Sequence, residues 1–131
     1  MKHFRELNES EVLALAVSNE EEDSRIYLTF ANRLRSDYPA TAKMFDEMAA
    51  EEQNHKNVLL DMYRKKFGDR MPYITRQDVR GFLKRRPTWL MEKLRVDTVR
   101  KQAAIMEIEA AEFYTNAATR AQDVDVRKLL G

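Results

Sequence analysis

The chain has 131 residues, no cysteine, a formal net charge of +1 and only three Gly and three Pro. That length supports one domain, residues 1–131, with a sizeable core, and excludes two ordinary domains. Without cysteine there is no disulfide, thiolate zinc site or iron–sulfur cluster, so oxygen and nitrogen ligands would have to hold any metal. Ala, Leu, Met, Glu, Lys and Arg abound and no apolar run approaches the roughly 20 residues of a membrane-spanning helix, which predicts an all-α soluble domain. The start Met1-Lys2-His3-Phe4-Arg5-Glu6 lacks the apolar segment of a secretory signal, which predicts the cytoplasmic side.

Charge is polarised along the chain. Residues 1–60 carry seven Lys/Arg against twelve Asp/Glu, and residues 76–101 carry nine against three. The basic stretch (Arg76, Arg80, Lys84, Arg85, Arg86, Lys93, Arg95, Arg100 and Lys101) reads first as a solvated helix face with acidic partners. An affinity for anionic lipid or nucleic acid is the sharper alternative; no nucleic-acid partner is expected.

The first helix is predicted from Ser10 to about Arg35, capped by Asn8 or Ser10 with acidic residues in its first turn. Leu13, Ala16/Val17, Glu20, Ser24, Tyr27, Ala31 and Leu34 recur at three- and four-residue steps and define one face, with Glu20 inside it. Ser36-Asp37-Tyr38-Pro39 stops this helix and starts the next, Pro suiting the first helical position and Asp a cap. So short a link favours an antiparallel pair. Helix two is predicted to end at Gly68, with Phe45, Met48, Glu52, His55, Leu59, Met62 and Lys66 along its seam. Met44, Met48 and Met62 read as core filling.

Residues 68–88 form a longer connection holding a short helix capped by Thr75 with Asp78 nearby. Helix three is predicted from about Thr88 to Gln122, with Ala103, Glu107, Ala110, Tyr114, Ala117 and Ala121 on one face and Trp89, Leu90 and Leu94 anchoring its start. Asp123 or Asp125 caps a fourth helix of which one turn or so is present. His3 is expected on a loose terminus and is given no role.

Acidic groups on a core face cost several kcal/mol unless they bind a cation or share a proton. Glu52-x-x-His55 puts a carboxylate and an imidazole on adjacent turns of one face, so both reach one metal. Glu20-x6-Tyr27 on helix one recurs as Glu107-x6-Tyr114 on helix three. Alone, Glu20 would read as part of a surface run, Glu20-Glu21-Glu22-Asp23, and His55 as a satisfied core histidine. Together with Glu107 they match the constellation of di-iron carboxylate bundles, a Glu from each of two helices and a Glu-x-x-His from each of two others. Glu109 and Glu112 compete with Glu107 for the helix-three position. Tyr27 and Tyr114 read first as core aromatics; hydrogen bonding to a ligand carboxylate, or redox activity, is the functional alternative.

Asn19-Glu20-Glu21-Glu22-Asp23-Ser24-Arg25-Ile26-Tyr27 with Glu51-Glu52-Gln53-Asn54-His55 resembles the rubrerythrin branch of the ferritin-like superfamily. Val79-Arg80-Gly81-Phe82-Leu83-Lys84-Arg85-Arg86-Pro87 and the tail Val126-Arg127-Lys128-Leu129-Leu130-Gly131 resemble the ferritin-like domain of the membrane-bound ferritin A family. There the domain precedes a membrane-embedded domain similar to vacuolar iron transporters and serves iron export and peroxide resistance. The resemblance implies an antiparallel four-helix bundle and a bacterial inner-membrane partner domain. It also implies a di-iron site on Glu20, Glu52, His55 and Glu107, with Glu52 bridging and Tyr27 nearby as a catalytic residue. Fe(II) and O2 or H2O2 would be its substrates, and manganese or zinc possible substitutes. A rubrerythrin-like peroxidase or an iron-sensing domain are the alternatives. The chain departs from the pattern because the second Glu-x-x-His is absent. The expectation is a largely missing fourth helix, with completion as a homodimer, as encapsulated ferritins pool partial sites between chains.

Overall fold

The computed structural model describes residues 2–80, 96–121 and 123–130. Helix α1 spans Glu9–Leu34 and opens on a capping box. Asn8 Oδ1 accepts from the Glu11 amide at 2.9 Å and Glu11 Oε1 accepts from the Asn8 amide at 3.2 Å, which satisfies two otherwise orphaned donors. Ser10 donates its hydroxyl to Asn8 instead of capping. Helix α2 spans Pro39–Phe67, with Pro39 in its first turn; Tyr38, and not Asp37, takes the cap position, without a side-chain bond. It ends at Gly68, whose φ of 86° is left-handed backbone that glycine adopts without strain.

Ser24 of α1 donates to the Ala49 carbonyl of α2 at 3.1 Å, Tyr27 and Phe30 pack on Phe45, and Arg35 grips Asp46 through two nitrogens. Rising numbers on α1 thus meet falling numbers on α2, the expected antiparallel pair. The connection that follows contains a 3-10 turn at Arg76–Asp78, where Asp78 Oδ2 accepts from both the amide and the hydroxyl of Thr75 at 3.0 Å. Strand β1, Lys2–His3, pairs in parallel with β2, Val79–Arg80, so the amino terminus is tied to this connection and is not loose. Trp89, Leu90, Leu94, the basic residues 84–95 and most of the Val79–Pro87 segment lie outside the described residues.

Helix α3 spans Val96–Arg120 and α4 spans Val124–Leu130. Tyr27 bonds Glu107, Tyr114 bonds Glu20, and Glu9 accepts from the Asp123 amide, so α3 is antiparallel to α1 and parallel to α2. A parallel neighbour requires a crossover, which explains the long connection. Asp123 caps α4, accepting from the amides of Asp125 and Val126.

The core falls into two apolar clusters. One joins Leu7, residues 12–17 of α1, Leu59 and Tyr63 of α2, Phe113 and Ala117 of α3, and Val126 and Leu130 of α4. The other joins Tyr27, Phe30 and Leu34 with Ala42, Phe45 and Ala49, and with Val99, Ala103 and Met106. Between them each long helix turns polar. Asn19, Glu20, Asp23 and Ser24 are buried there on α1. This belt sits about midway along the bundle and holds the candidate site. Among the described residues no helix is long and apolar enough to cross a membrane.

Two side-chain placements differ from the sequence reading. Met44 is exposed, while Met48 and Met62 are partly buried against the clusters. On helix α3 the inward stripe keeps Ala103, Ala117 and Ala121 as expected but passes through Met106 and Phe113 in place of Glu107 and Tyr114, and Glu107 lies on the exposed flank. Alanines on both phases of α3 let the two larger side chains decide its rotation.

Candidate metal centre

Glu20 is only 3% exposed, and its neighbours from α2 are the half-buried Glu52 and the exposed His55. One carboxylate oxygen from each Glu and one ring nitrogen of His55 lie within 4.8 Å of one another. Donors bound at about 2.1 Å to a shared first-row metal stand at most about 4.2 Å apart, so loading requires only a small contraction. His55 places Nδ1 3.8 Å from Glu20 Oε2 and Nε2 3.9 Å from Glu51 Oε1, one turn back on α2.

The two tyrosines work in exchange. Tyr27 of α1 donates to Glu107 Oε1 of α3 at 2.9 Å, and Tyr114 of α3 donates to Glu20 Oε1 of α1. The Glu-x6-Tyr repeat is thus a reciprocal pair across an antiparallel seam, each hydroxyl serving the other helix's carboxylate. Burial, with these carboxylates beside them, raises both phenols well above the ordinary tyrosine value, so both remain protonated donors.

The fourth sequence candidate, Glu107, is tied to Tyr27 and stands apart from the group formed by Glu20, Glu52 and His55. Glu109 points elsewhere, with Oε2 3.9 Å from Arg76 Nη1, and Glu112 is exposed. Outside the site, Lys56 and Gln53 bond Glu21 at 2.7 and 3.0 Å, and these bonds lower its carboxyl to about 2.

The donor set fits a cation. Glu20 Oε2 is buried with no hydrogen-bond partner among the described residues, and it faces the group while Oε1 is held by Tyr114. A buried carboxylate oxygen needs a partner, and here either a proton on the neighbouring Glu52 or a cation supplies it. Glu52 is held well above the ordinary carboxylate range, first by burial and then by Glu20, with Asp23 and Glu107 adding to the effect. Without a cation, Glu52 therefore retains a proton.

Sequence reasoning missed Arg76. It is not on a solvated basic face: its side chain is 6% exposed and lies among Asn19, Glu22, Asp23 and Glu109. Its partners are 33 to 57 residues distant, so no local pattern pointed to them.

A helical bundle whose polar belt converges buried carboxylates and an imidazole is of the ferritin-like class. The Rubrerythrin family model matches residues 11–131, and the chain belongs to that family. Membership implies iron binding, in accord with the oxygen and nitrogen donors at the belt. Comparison with curated proteins and with solved structures gave no match.

Proposed function

We propose that the chain is an iron-binding, ferroxidase-type domain that takes up Fe(II) as substrate on Glu20, Glu52 and His55 and oxidises it with O2 or H2O2. The observation that carries this reading is the unpartnered, buried Oε2 of Glu20 facing Glu52 and His55. Two ferrous ions held there would together supply the two electrons that take O2 to the peroxide level or H2O2 to water, which avoids one-electron oxygen radicals.

The residues divide the work. Tyr114 holds Oε1 of Glu20 and thereby aims Oε2 into the site. Glu52 gives up its proton as the cation arrives, so uptake releases acid. Half-exposed His55 offers a nitrogen at the solvent side, and Glu107, fixed by Tyr27 outside that group, is assigned to a second iron. Oxygen and nitrogen donors of this kind also accept manganese or zinc.

The open flank carries exposed Ile105 and Ile108 beside Glu107, which supports a homodimer whose second copy completes the ligand set. The tail Val126–Gly131, similar to that of membrane-bound ferritin A, supports a membrane transporter domain on the cytoplasmic side of a bacterial inner membrane as the iron's destination.

The test is rapid mixing of anaerobic Fe(II)-loaded protein with air, followed by ferric absorbance and oxygen consumption. Glu52→Ala is expected to abolish fast oxidation while leaving the helical content intact; unchanged oxidation removes the assignment. Saturable Fe(II) binding without oxygen consumption would turn the reading to an iron-sensing domain.

A further inference from the structure

Among the described residues, helix α3 is tied to α1 at the belt by side-chain links that include three of note. Two of them, Tyr27 to Glu107 and Tyr114 to Glu20, end on carboxylates that the proposed function assigns to the cation. Hydrogen bonds to a full carboxylate charge are about twice as strong as neutral ones, so a cation that draws on that charge weakens them. The third link runs through Arg76 to Glu109 and uses no assigned ligand.

Arg76 is well placed to bear that load. Its Nε lies 3.1 Å from Glu22 Oε2 and 3.3 Å from Asn19 Oδ1, its Nη2 3.3 Å from Asp23 Oδ1, and its Nη1 3.9 Å from Glu109 Oε2. Asn19 and Asp23 bracket Glu20 on α1, so the guanidinium grips α1 on both sides of the buried carboxylate. The backbone that carries Arg76 is itself fixed. Ser18 donates to the Ile74 carbonyl at 2.6 Å, Thr75 and Asp78 close the 3-10 turn, and β2 pairs with β1. Among the described residues Arg76 is the one buried cation, and burying a guanidinium is tolerated only when its nitrogens meet acceptors.

We propose that Arg76 is a positioning residue: it clasps α3 and the crossover onto α1 around Glu20, and so sets the spacing of the cation site by contacts the cation does not weaken. This rests on the reading of Glu20, Glu52 and His55 as cation ligands for its functional consequence, but the clasp itself is testable without a cation. A planar fork, and not charge alone, reaches Asn19, Glu22 and Asp23 within 3.3 Å while pairing its charge with Glu109 at 3.9 Å, so lysine cannot replace it.

The experiment compares wild type with Arg76→Lys, and with Leu59→Val as a variant weakened in an apolar cluster that contains none of the Arg76 partners. Amide hydrogen exchange of the cation-free proteins reads the clasp. Arg76→Lys is expected to exchange about tenfold faster over residues 103–113, with residues 42–63 unchanged, and Leu59→Val is expected to lack this selectivity. Anaerobic Co(II) titration reads the consequence. Arg76→Lys is expected to bind about tenfold more weakly, with an altered d–d absorption band, whereas Leu59→Val keeps the wild-type band. Wild-type exchange and wild-type Co(II) binding in Arg76→Lys would overturn the proposal, as would faster exchange with unchanged Co(II) affinity and band. If wild type itself binds no Co(II), the cation reading fails, and selective exchange in α3 alone sustains or removes the clasp.

Discussion

The seam between α1 and α2 and the seam between α1 and α3 are built on different principles. Away from the belt the first is held mainly by apolar and aromatic packing: Phe45 is fully buried, with its ring centroid 5.9 Å from Tyr27 and 5.5 Å from Phe30. At the belt the second is polar, made by two tyrosine–carboxylate bonds and the Arg76 network. Apolar contact is indifferent to the charge at the site, whereas the two tyrosine links end on its carboxylates and respond to it. The pair α1–α2, which carries Glu20, Glu52 and His55, is therefore the scaffold, and α3 is the helix whose seating the site's charge state influences.

Breaking the first seam has the largest effect. Phe45→Ala removes the aromatic packed between Tyr27 and Phe30 and is expected to cost about 3–5 kcal/mol in denaturant unfolding, a large share of a small domain's stability. At the second seam Tyr114→Phe takes the donor from Oε1 of Glu20 and is expected to cost about 1.5–3 kcal/mol in the cation-free protein. A saturating divalent cation should recover part of that loss, which melting with and without Co(II) would measure.

Charge at the site gives the comparison a pH axis. The folded protein holds a proton on Glu52 that the unfolded chain, with its ordinary value of 4.5, has already lost above that pH. The folded state then binds more protons, so stability declines as pH rises above 4.5. Glu52→Gln removes this decline and is expected to be about 1–2 kcal/mol more stable than wild type near neutrality, after allowance for solvent screening. Thermal melts across pH would show the two curves diverging upward in pH, and parallel curves would refute it. Glu21 behaves oppositely and more weakly. Its folded value of about 2 lies below 4.5, so its contribution is present above 4.5 and is lost as pH falls toward 2. Glu21→Gln should therefore lower stability by about 0.5–1 kcal/mol at neutral pH and by nothing near pH 2.

How far the sequence disclosed this arrangement depended on how local each signal was. The stripe on α1 was legible because its inward residues, from Leu13 to Leu34, are all buried at helical spacing and Asn8 with Glu11 marks its start. The bounds of α2 were legible because Pro39 and Gly68 act on their own backbone. The rotation of α3 was not, since alanines occupy both phases and Met106 and Phe113 outweigh them only once packed. The Glu-x6-Tyr repeat was visible, but its exchange of partners across the seam depends on the antiparallel pairing. Arg76 was hidden in a basic run, because what buries it is acidic chain 53 to 57 residues earlier and Glu109 later.

The central claim is that buried Glu20, with Glu52 and His55, forms a cation site. Anaerobic Fe(II) titration by calorimetry, on wild type and Glu20→Gln with the mass of each measured in the same solution, tests it most directly. Wild type is expected to show saturable binding with proton release, at a mass showing whether one chain or two supply the site, and Glu20→Gln to lose that binding. Equal binding by both proteins, or none by wild type, would contradict it.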